Sequence, residues 1–349
     1  MSVLSTRLTE RFAVPYPFAG AGMGIVGGTP ALAVAVGNAG GIGAVGAALM
    51  PADRLRQVVR EVREGVGAAP FNINLITYFD TAEHVRVCAE ERVPIVSFHW
   101  GHPPADQLKC LREAGVSVWE QVGSAAAAGR AVDDGVEVVV AQGWEAGGHN
   151  YGGLPTMVGV PSVVDAVGDR ALVLAAGGIT DGRQVAAALC LGADGVWVGT
   201  RLVASREARV HPEHHRRLIS SQGEDTVLTS VFGPEWPRFN PMRVQRDRVV
   251  SEWHDRLGDV PAERDALEQV GTTVFEGEET VLRKFGVLPP VPETEADWEE
   301  MPWLMGQGVG LVHGIRPARE IIQEMMGQAE GVLTRFRGGA AGARAAAGR

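Results

Sequence analysis

The chain has 349 residues, of which 45% are hydrophobic and 21% charged, the balance of a folded globular protein. Glycine is unusually abundant: its 46 residues are nearly twice the average share of about 7%, which indicates many tight turns or backbone that closely approaches a ligand. With 32 basic and 42 acidic residues the net charge is −10, which excludes the basic surface typical of nucleic-acid-binding proteins.

The sequence favours a cytoplasmic protein without a membrane anchor. The first dozen residues contain no signal-peptide core, and the three cysteines stand far apart, as expected for reduced thiols: Cys88, Cys110 and Cys190. The stretch 12–52 carries no charge and is long enough to span a bilayer. Prolines at positions 15, 17, 30 and 51 interrupt it, so we interpret it as the interior of the fold.

Short runs rich in Val and Ile alternate with amphipathic stretches, as in the strand–helix units of a parallel sheet. The amphipathic stretches predict helices, among them 53–64, 82–91, 105–114, 124–134 and 181–191. Eight runs are strand-like, at 15–21, 42–45, 71–76, 95–99, 116–122, 136–142, 172–176 and 196–199. Eight such units predict a (β/α)8 TIM barrel that closes by about residue 205.

The sequence after residue 205 differs from the barrel. Segment 206–300 has Trp, Pro and charged residues in irregular order, and we interpret it as a smaller helical add-on over the barrel mouth. Residues 317–336 return to helical periodicity and predict a C-terminal helix that partly returns to the barrel, whereas 337–349 predict a flexible tail. The predicted divisions are therefore 1–205, 206–336 and 337–349.

The first strand-like run is followed by GAGMGIVGG, in which Gly22, Gly24 and Gly27 match the dinucleotide-binding pattern G-x-G-x-x-G. The match is weak because the first acidic residue downstream, Asp53, lies too far along the chain for the usual ribose contact. A Rossmann site is therefore the minor alternative. Close approach of this backbone to a flat ring system is the favoured interpretation.

The strongest local signal follows the sixth run and reads AQGWEAGGHNYGG. Gln142 ends the strand, and Glu145 and His149 stand among glycines. An imidazole exchanges protons near neutral pH, and this one has no helix face on which to pack, so His149 is the candidate acid–base group. Glu145, four residues earlier, either orients this histidine or caps the following turn.

Two further glycine-rich loops, AAGGITDGR and GVWVGTR, follow the seventh and eighth runs. Each leads into a helix, and the corresponding loops of TIM barrels often bind phosphate through backbone N–H groups. Thr200 adds a hydroxyl. Ordinary turn glycines are the alternative interpretation.

The remaining histidines do not indicate a metal site, and we expect none. His99 and His102 could resemble a metal-binding pair, but no Asp, Glu or Cys completes a ligand shell with them. His211, His214 and His215 fall in a charged stretch and are expected to form a solvated helix.

Together these residues resemble the FMN-dependent nitronate monooxygenase family, formerly called 2-nitropropane dioxygenases. The resemblance extends over about residues 15–325 and implies a (β/α)8 barrel with a smaller helical domain and bound FMN. The matching stretches are GAGMGIVGGTPALAVAVGNAGGIG, PFNINL, AQGWEAGGHNYGG, AAGGITDGRQVAAALCLGADGVWVGTRLVAS and MGQGVGLVHGIRPAREII.

The resemblance also implies roles for single residues. His149 matches the catalytic histidine of the family. The residues implied to contact the cofactor are Gly22, Met23, Gly24, Asn74, Gln121, Gln142, Gly147, Ala176, Gly177, Gly178, Gly199 and Thr200. The first three would lie along the flavin, the amide side chains would contact its ring or side chain, Gly147 would approach the phosphate end, and the last five would hold the phosphate. Some family members carry lysine where this chain has Gln121.

The implied activity is oxidation of alkyl nitronates by O2 to carbonyl compounds and nitrite, and of nitroalkanes where His149 removes the α-proton. The implied partners are this small molecule and O2, with a homodimer also considered, and neither nucleic acid nor membrane. Two alternatives stay open. One is an FMN-dependent enoyl-acyl carrier protein reductase that uses NAD(P)H and has a similar GGH loop; the other is a flavin-binding protein without turnover.

Overall fold

The computed structural model describes residues 2–47, 49–236, 238, 241–261, 267–275 and 277–346, with side chains described up to Phe336. Eight parallel strands form its centre: β1 (Phe18–Gly20), β2 (Gly43–Gly46), β3 (Phe71–Ile76), β4 (Ile95–His99), β5 (Ser117–Val122), β6 (Val138–Gln142), β8 (Leu172–Ala176) and β9 (Gly195–Val198). They pair in the order β1-β9-β8-β6-β5-β4-β3-β2. Ile42, directly before β2, bonds to β1 through Gly20 N and Phe18 O, both at 2.9 Å, so the sheet closes into a barrel.

Helices connect the strands outside this barrel: α2 (Pro30–Asn38), α3 (Ala52–Val66), α4 (Ala82–Glu90), α5 (Ala105–Glu113), α6 (Ala125–Asp133), α7 (Thr156–Val167), α8 (Gly182–Cys190) and the single turn α9 (Thr200–Val203). In α3, Leu55, Val58, Val59 and Val62 are buried, because their spacing places them on one face. The TIM-barrel prediction is confirmed. The eight predicted strands and five predicted helices are all present, with ends shifted by three residues or fewer.

Strand β6 shows why the predicted runs are continuously apolar. Val138 and Val140 belong to the cluster inside the barrel, whereas Val139 packs in the cluster formed with the outer helices. Both faces of a barrel strand are therefore covered, so neither alternate position needs to be polar.

Apolar side chains close the N-terminal end of the barrel. The first helix, α1 (Arg7–Phe12), brings Leu8 into the interior cluster with Trp119. Phe12 meets the Trp119 ring edge to face, with ring centroids 5.3 Å apart. A ligand cleft is therefore expected at the opposite, C-terminal end of the strands.

The segment after α9 contains strands as well as helices. One small antiparallel sheet consists of β10 (Thr226–Thr229), β11 (Met242–Gln245) and β7 (Gly148–His149); the other consists of β12 (Gln269–Phe275), β13 (Glu278–Arg283) and β14 (Glu295–Ala296). The helices are α10 (Pro212–Ser220) and α11 (Arg248–Trp253), with short 3-10 turns between elements. The sequence did not indicate these strands, because two to seven residues show too little alternation to be recognised.

The C-terminal helix α12 (Ala318–Ala346) packs against α8 and α2 on the outside of the barrel. Ile321, Ile322 and Met325 are buried in this contact face. Its backbone continues into the stretch where the sequence predicts a flexible tail, and residues 347–349 lie outside the described residues; the tail and the boundaries at 205 and 336 stay predictions. No helix among the described residues combines the length and the apolarity that a bilayer span requires.

Candidate active site

A cleft of about 1130 Å³, its open mouth included, lies at the C-terminal ends of the barrel strands, where TIM barrels place their active sites. The residues singled out from the sequence all line it: Gly22, Met23, Gly24, Asn74, Gln121, Gln142, Gly147, His149, Ala176, Gly177, Gly178, Gly199 and Thr200. The fold therefore brings these residues together around one cleft. Their roles toward a cofactor stay predictions.

The loop after β1 lies against the end of β3. A Cβ added to Gly22 would lie 2.1 Å from the Cβ of Asn74, so only glycine permits this contact. The amide of Asn74 is held in turn by its Nδ2, which donates to Ser97 Oγ at 2.8 Å. Ile25 has a φ of +65°, an unfavourable conformation for a β-branched residue. Because β1 belongs to a closed barrel, the Rossmann alternative is excluded.

Gln121 and His99 lie on the neighbouring strands β5 and β4, and both face the cleft. Burial lowers the pKa of His99 to about 4, although a hydrogen bond with Gln121 acts in the opposite direction. Among the described residues, the buried Nε2 of Gln121 has no hydrogen-bond partner. Buried donors are rarely left unpaired, so this atom is suited to an acceptor on a ligand. His99 is a cleft residue that the sequence analysis set aside as ordinary.

The loop that carries His149 is fixed from two sides. Strand β7 pairs with β11 so that Met242 stands opposite His149, which ties this loop to the add-on. Gln142 holds it from the barrel: its Nε2 donates to the backbone oxygen of His149 at 3.1 Å, and its Oε1 accepts from Tyr151 N at 2.8 Å. The Gln142 amide therefore positions the histidine backbone as well as lining the cleft.

The imidazole of His149 lies in a strongly desolvated place. Burial, and to a smaller degree the neighbouring His99, lower the pKa of His149 to about 3. The indole of Trp100 meets its ring edge to face, with centroids 5.8 Å apart. At neutral pH this imidazole is uncharged and able to accept a proton. A bound anion beside it would raise its pKa, because an opposite charge stabilises the imidazolium.

Glu145 caps the helix that follows the loop. Its carboxylate accepts from Thr156 N at 2.9 and 3.1 Å and from Thr156 Oγ1 at 2.9 Å, at the start of α7. A negative charge at a helix N-terminus is favourable. Of the two roles left open by the sequence, capping is the one that these bonds support.

Left-handed glycines and a hydroxyl form the wall of the cleft at β8 and β9. Gly177 and Gly178 have φ values of +101° and +70°, which favour glycine over any other residue. The Thr200 hydroxyl accepts a hydrogen bond from Gly306 N at 2.9 Å. A Cβ added to Gly147 would lie 2.5 Å from the same nitrogen. This wall is therefore completed by a segment more than a hundred residues later in the chain.

Several cleft residues escaped the sequence analysis because they come from the add-on: Pro289, Leu304, Gly306 and Gly308. The stretch MGQGVG, which contains both glycines, was part of the family resemblance and was the available signal for them. Nothing in the sequence around Pro289 indicates its place at the cleft.

The expectation of a solvated helix is wrong for His214. This residue is only 1% exposed: its Nε2 lies 3.1 Å from Leu304 O, and burial lowers its pKa to about 4. It lies on the buried face of α10 and lines the cleft. His102 has Nδ1 2.7 Å from Glu120, which β5 brings beside it.

These features fit a bound flavin. A Cβ added to Gly24 would meet no atom within 4 Å, so the first loop presents open space to the cleft. The amide side chains of Asn74 and Gln121 come from β3 and β5, and Gln142 stands on β6 directly beside Ala176 of β8. The left-handed glycines and Thr200 follow β8 and β9. Such a set suits a flat polar ring bound by the amides and a phosphate bound by the adjoining glycine loops.

A second, largely apolar chamber opens beside the cleft. It measures about 1420 Å³ with its mouth, and it shares Gly24, His149 and Leu304 with the cleft. Hydrophobic side chains dominate its wall: Ile25, Leu49, Met50, Phe79, Trp236, Val274, Phe275, Val287 and Leu288. We call it the side chamber. It offers room for an apolar group of a small molecule whose polar end lies beside His149.

Comparison with known proteins agrees with this architecture. The family model for nitronate monooxygenases matches residues 5–82 and 77–328. The chain is 36% identical over 252 residues to (3aS,4S,5R,7aS)-5-hydroxy-7a-methyl-1-oxo-octahydro-1H-indene-4-carboxyl-CoA dehydrogenase of Mycobacterium tuberculosis. This alignment covers 71% of this chain and 68% of that protein. The chain is also 30% identical over 292 residues to nitronate monooxygenase of Pseudomonas aeruginosa, and the alignment covers 71% of this chain and 83% of that protein.

A solved structure extends the agreement to the whole fold. FabK from Thermotoga maritima superposes with a TM-score of 0.79 at 32% identity, and the match covers 96% of this chain and 99% of that one. The family model alone covers most of the sequence. The chain belongs to the nitronate monooxygenase family and is a flavin-dependent oxidoreductase.

Proposed function

We propose that this protein binds FMN in the cleft and oxidises alkyl nitronates with O2 to carbonyl compounds and nitrite. The observation that carries the proposal is the position of His149, half-buried on the same cleft as the glycine loops and amide side chains suited to a flavin. The name of the Pseudomonas aeruginosa relative, nitronate monooxygenase, supports the same reaction.

In this proposal two groups of cleft residues would hold FMN. Gly22, Met23 and Gly24 lie along the ring, and Asn74, Gln121 and Gln142 contact the ring or its side chain. Backbone N–H groups of the loops after β8 and β9, with the Thr200 hydroxyl, hold the phosphate, and Gly147 approaches it. Bound flavin supplies the electron-accepting chemistry.

His149 supplies the proton chemistry. Its neutral imidazole accepts the α-proton of a nitroalkane, and the nitronate formed beside it stabilises the resulting imidazolium. A preformed nitronate needs no proton transfer and is held by hydrogen bonding and by charge. The side chamber takes the alkyl group and keeps water from it.

The second candidate function is reduction of an enoyl thioester with NAD(P)H. The side chamber favours it, because it is larger than a short nitroalkane requires and is lined mainly by apolar side chains. The name of the Mycobacterium tuberculosis relative, a carboxyl-CoA dehydrogenase, supports a thioester substrate.

Two measurements test these functions. Heat release from purified protein followed by chromatography should yield FMN, and recovery of FAD contradicts the assignment of a single phosphate site. Anaerobic mixing with an alkyl nitronate should bleach the flavin spectrum, whereas NADPH should not. Bleaching by NADPH alone, followed by reoxidation with an enoyl thioester, would establish the second candidate in place of the first.

A further inference from the structure

Arg201 is a buried cation outside the active-site cleft. It follows Thr200 in α9 and is 7% exposed, although arginine is almost never buried without a partner. Among the described residues, its buried Nη1 has no hydrogen-bond partner. The side chains of 337–349, which are not described, include no Asp or Glu. Burial of a guanidinium without a direct hydrogen-bonded partner is unfavourable, so a partner is expected.

Arg201 lines an opening between α8, α9 and α12 that is distinct from the active-site cleft and the side chamber. We call it the outer cleft. It measures about 1300 Å³ with its mouth, and its charged residues are Asp181, Arg183, Arg201, Arg316, Glu324 and Arg335. The outer cleft touches the active-site cleft at Thr180, which lines both. The two openings therefore adjoin at the loop after β8.

The two carboxylates of the outer cleft already have other partners. Asp181 accepts from Arg183 Nε at 2.9 Å and caps α8, and Glu324 accepts from Arg316 Nη1 at 2.5 Å. Four guanidinium groups thus face two carboxylates, and Arg201 is the most buried of the four. Burial also lowers the pKa of Arg201, although the carboxylate of Glu324 acts in the opposite direction.

We infer that the outer cleft is an anion-binding site in which Arg201 binds a phosphate group. The planar guanidinium can donate two parallel hydrogen bonds to the oxygens of a phosphate. The positive charge of the four arginines in the outer cleft, which exceeds that of its two carboxylates, favours an anion there. The phosphate is either free or part of a nucleotide, since the opening is wide enough for both. Because Arg201 and Thr200 are adjacent in α9, a bound phosphate also stabilises the turn that carries Thr200.

The test uses the flavin-loaded protein, so that the predicted flavin phosphate position is occupied. Titration calorimetry with sodium phosphate and, separately, with ADP is compared with sodium chloride at equal ionic strength. We expect saturable phosphate binding with an unchanged flavin spectrum. Tighter binding of ADP would identify a nucleotide as the source, and equal affinity would identify free phosphate.

Three variants make the test specific. Arg201→Met should weaken phosphate binding at least tenfold, whereas Arg86→Met, an exposed arginine of α4 outside the cleft, should leave it unchanged. Glu324→Gln removes a negative charge from the outer cleft and keeps Arg201 in place, so it should tighten phosphate binding. Binding that is absent in wild type, unchanged in Arg201→Met, weakened in Glu324→Gln, or seen only after flavin removal would overturn the inference.

Discussion

Gly22 and Asn74 are in direct backbone-to-side-chain contact, and a Cβ at residue 22 would lie only 2.1 Å from that of Asn74. The contact joins the loop after β1 to the end of β3, two strand ends that are not neighbours in the barrel. Asn74 is fixed on its other side by Ser97 Oγ. The asparagine has little room to retreat, so the size of residue 22 controls its position in the cleft.

Gly22→Ala should therefore displace Asn74 and weaken flavin binding at least tenfold while the barrel remains folded. The measurement is flavin content after dialysis, together with the thermal midpoint. Gly129→Ala is the matched control, because its added methyl group meets no atom within 4 Å in α6. Full flavin retention by Gly22→Ala would show that Asn74 does not bind the flavin.

His149→Asn should lower turnover of neutral nitroalkanes by about 10²–10⁴-fold, the range typical of a positioned general base. Preformed nitronates have already lost the proton and should lose less, through weaker binding of the anion. Steady-state kinetics on both substrate forms, with flavin content measured spectroscopically, checks this difference. Equal small losses on both forms would leave His149 with a packing role and contradict proton transfer.

Three desolvated histidines should make the protein less stable in acid. His99, His149 and His214 have folded-state pKa values of about 4, 3 and 4, below the ordinary value of 6.5. Between pH 6.5 and 4 these histidines bind protons in the unfolded chain but stay neutral in the folded chain. The free energy of unfolding therefore falls as pH falls through this window. Above pH 6.5 both states are neutral and the histidines contribute no pH dependence.

Urea denaturation at pH 7, 6, 5 and 4 measures this slope. Replacement of one buried histidine, His214→Gln, should reduce it, whereas replacement of the exposed His313 by Gln should not change it. An identical slope in His214→Gln and wild type would show that His214 is protonated within the folded protein.

The side chamber should select substrates by chain length. Burial of each CH2 group is worth about 0.8 kcal/mol, so kcat/KM for primary alkyl nitronates should rise about fourfold per added carbon until the chamber is filled. Val274→Trp places a large ring in the chamber and should abolish this dependence while turnover of the shortest nitronate is retained.

Val281→Trp is the control for the chain-length series. Val281 lies on the neighbouring strand β13, is 40% exposed and does not line the chamber. This variant should keep the wild-type dependence on chain length. A wild-type profile that is flat from two to eight carbons, by contrast, would mean that the alkyl group does not enter the side chamber.

Much of the barrel could be read from the sequence, because its strands are buried on both faces and its helices on one. The run VVVAQ becomes β6, and the spacing of Leu55, Val58 and Val62 becomes the buried face of α3. Loops directly after such strands must meet at one end of a barrel. For this reason Gly22, Gln142, His149 and Thr200 could be assigned to one site from the sequence, whereas Asn74, inside β3, was implied by the family resemblance.

Tertiary structure alone decided what covers that site and what surrounds its charged groups. The strands β10 to β14 are too short to show a pattern in the sequence. Leu304 and Gly306, which follow them in the chain, reach the cleft through long-range packing. Desolvation likewise depends on neighbours from distant segments, as His214 beside Leu304 shows. The buried Nη1 of Arg201, which has no hydrogen-bond partner within the described part of the chain, is a second example. Periodicity records which face of an element is buried, whereas the partner on that face is set by the folding of the whole chain.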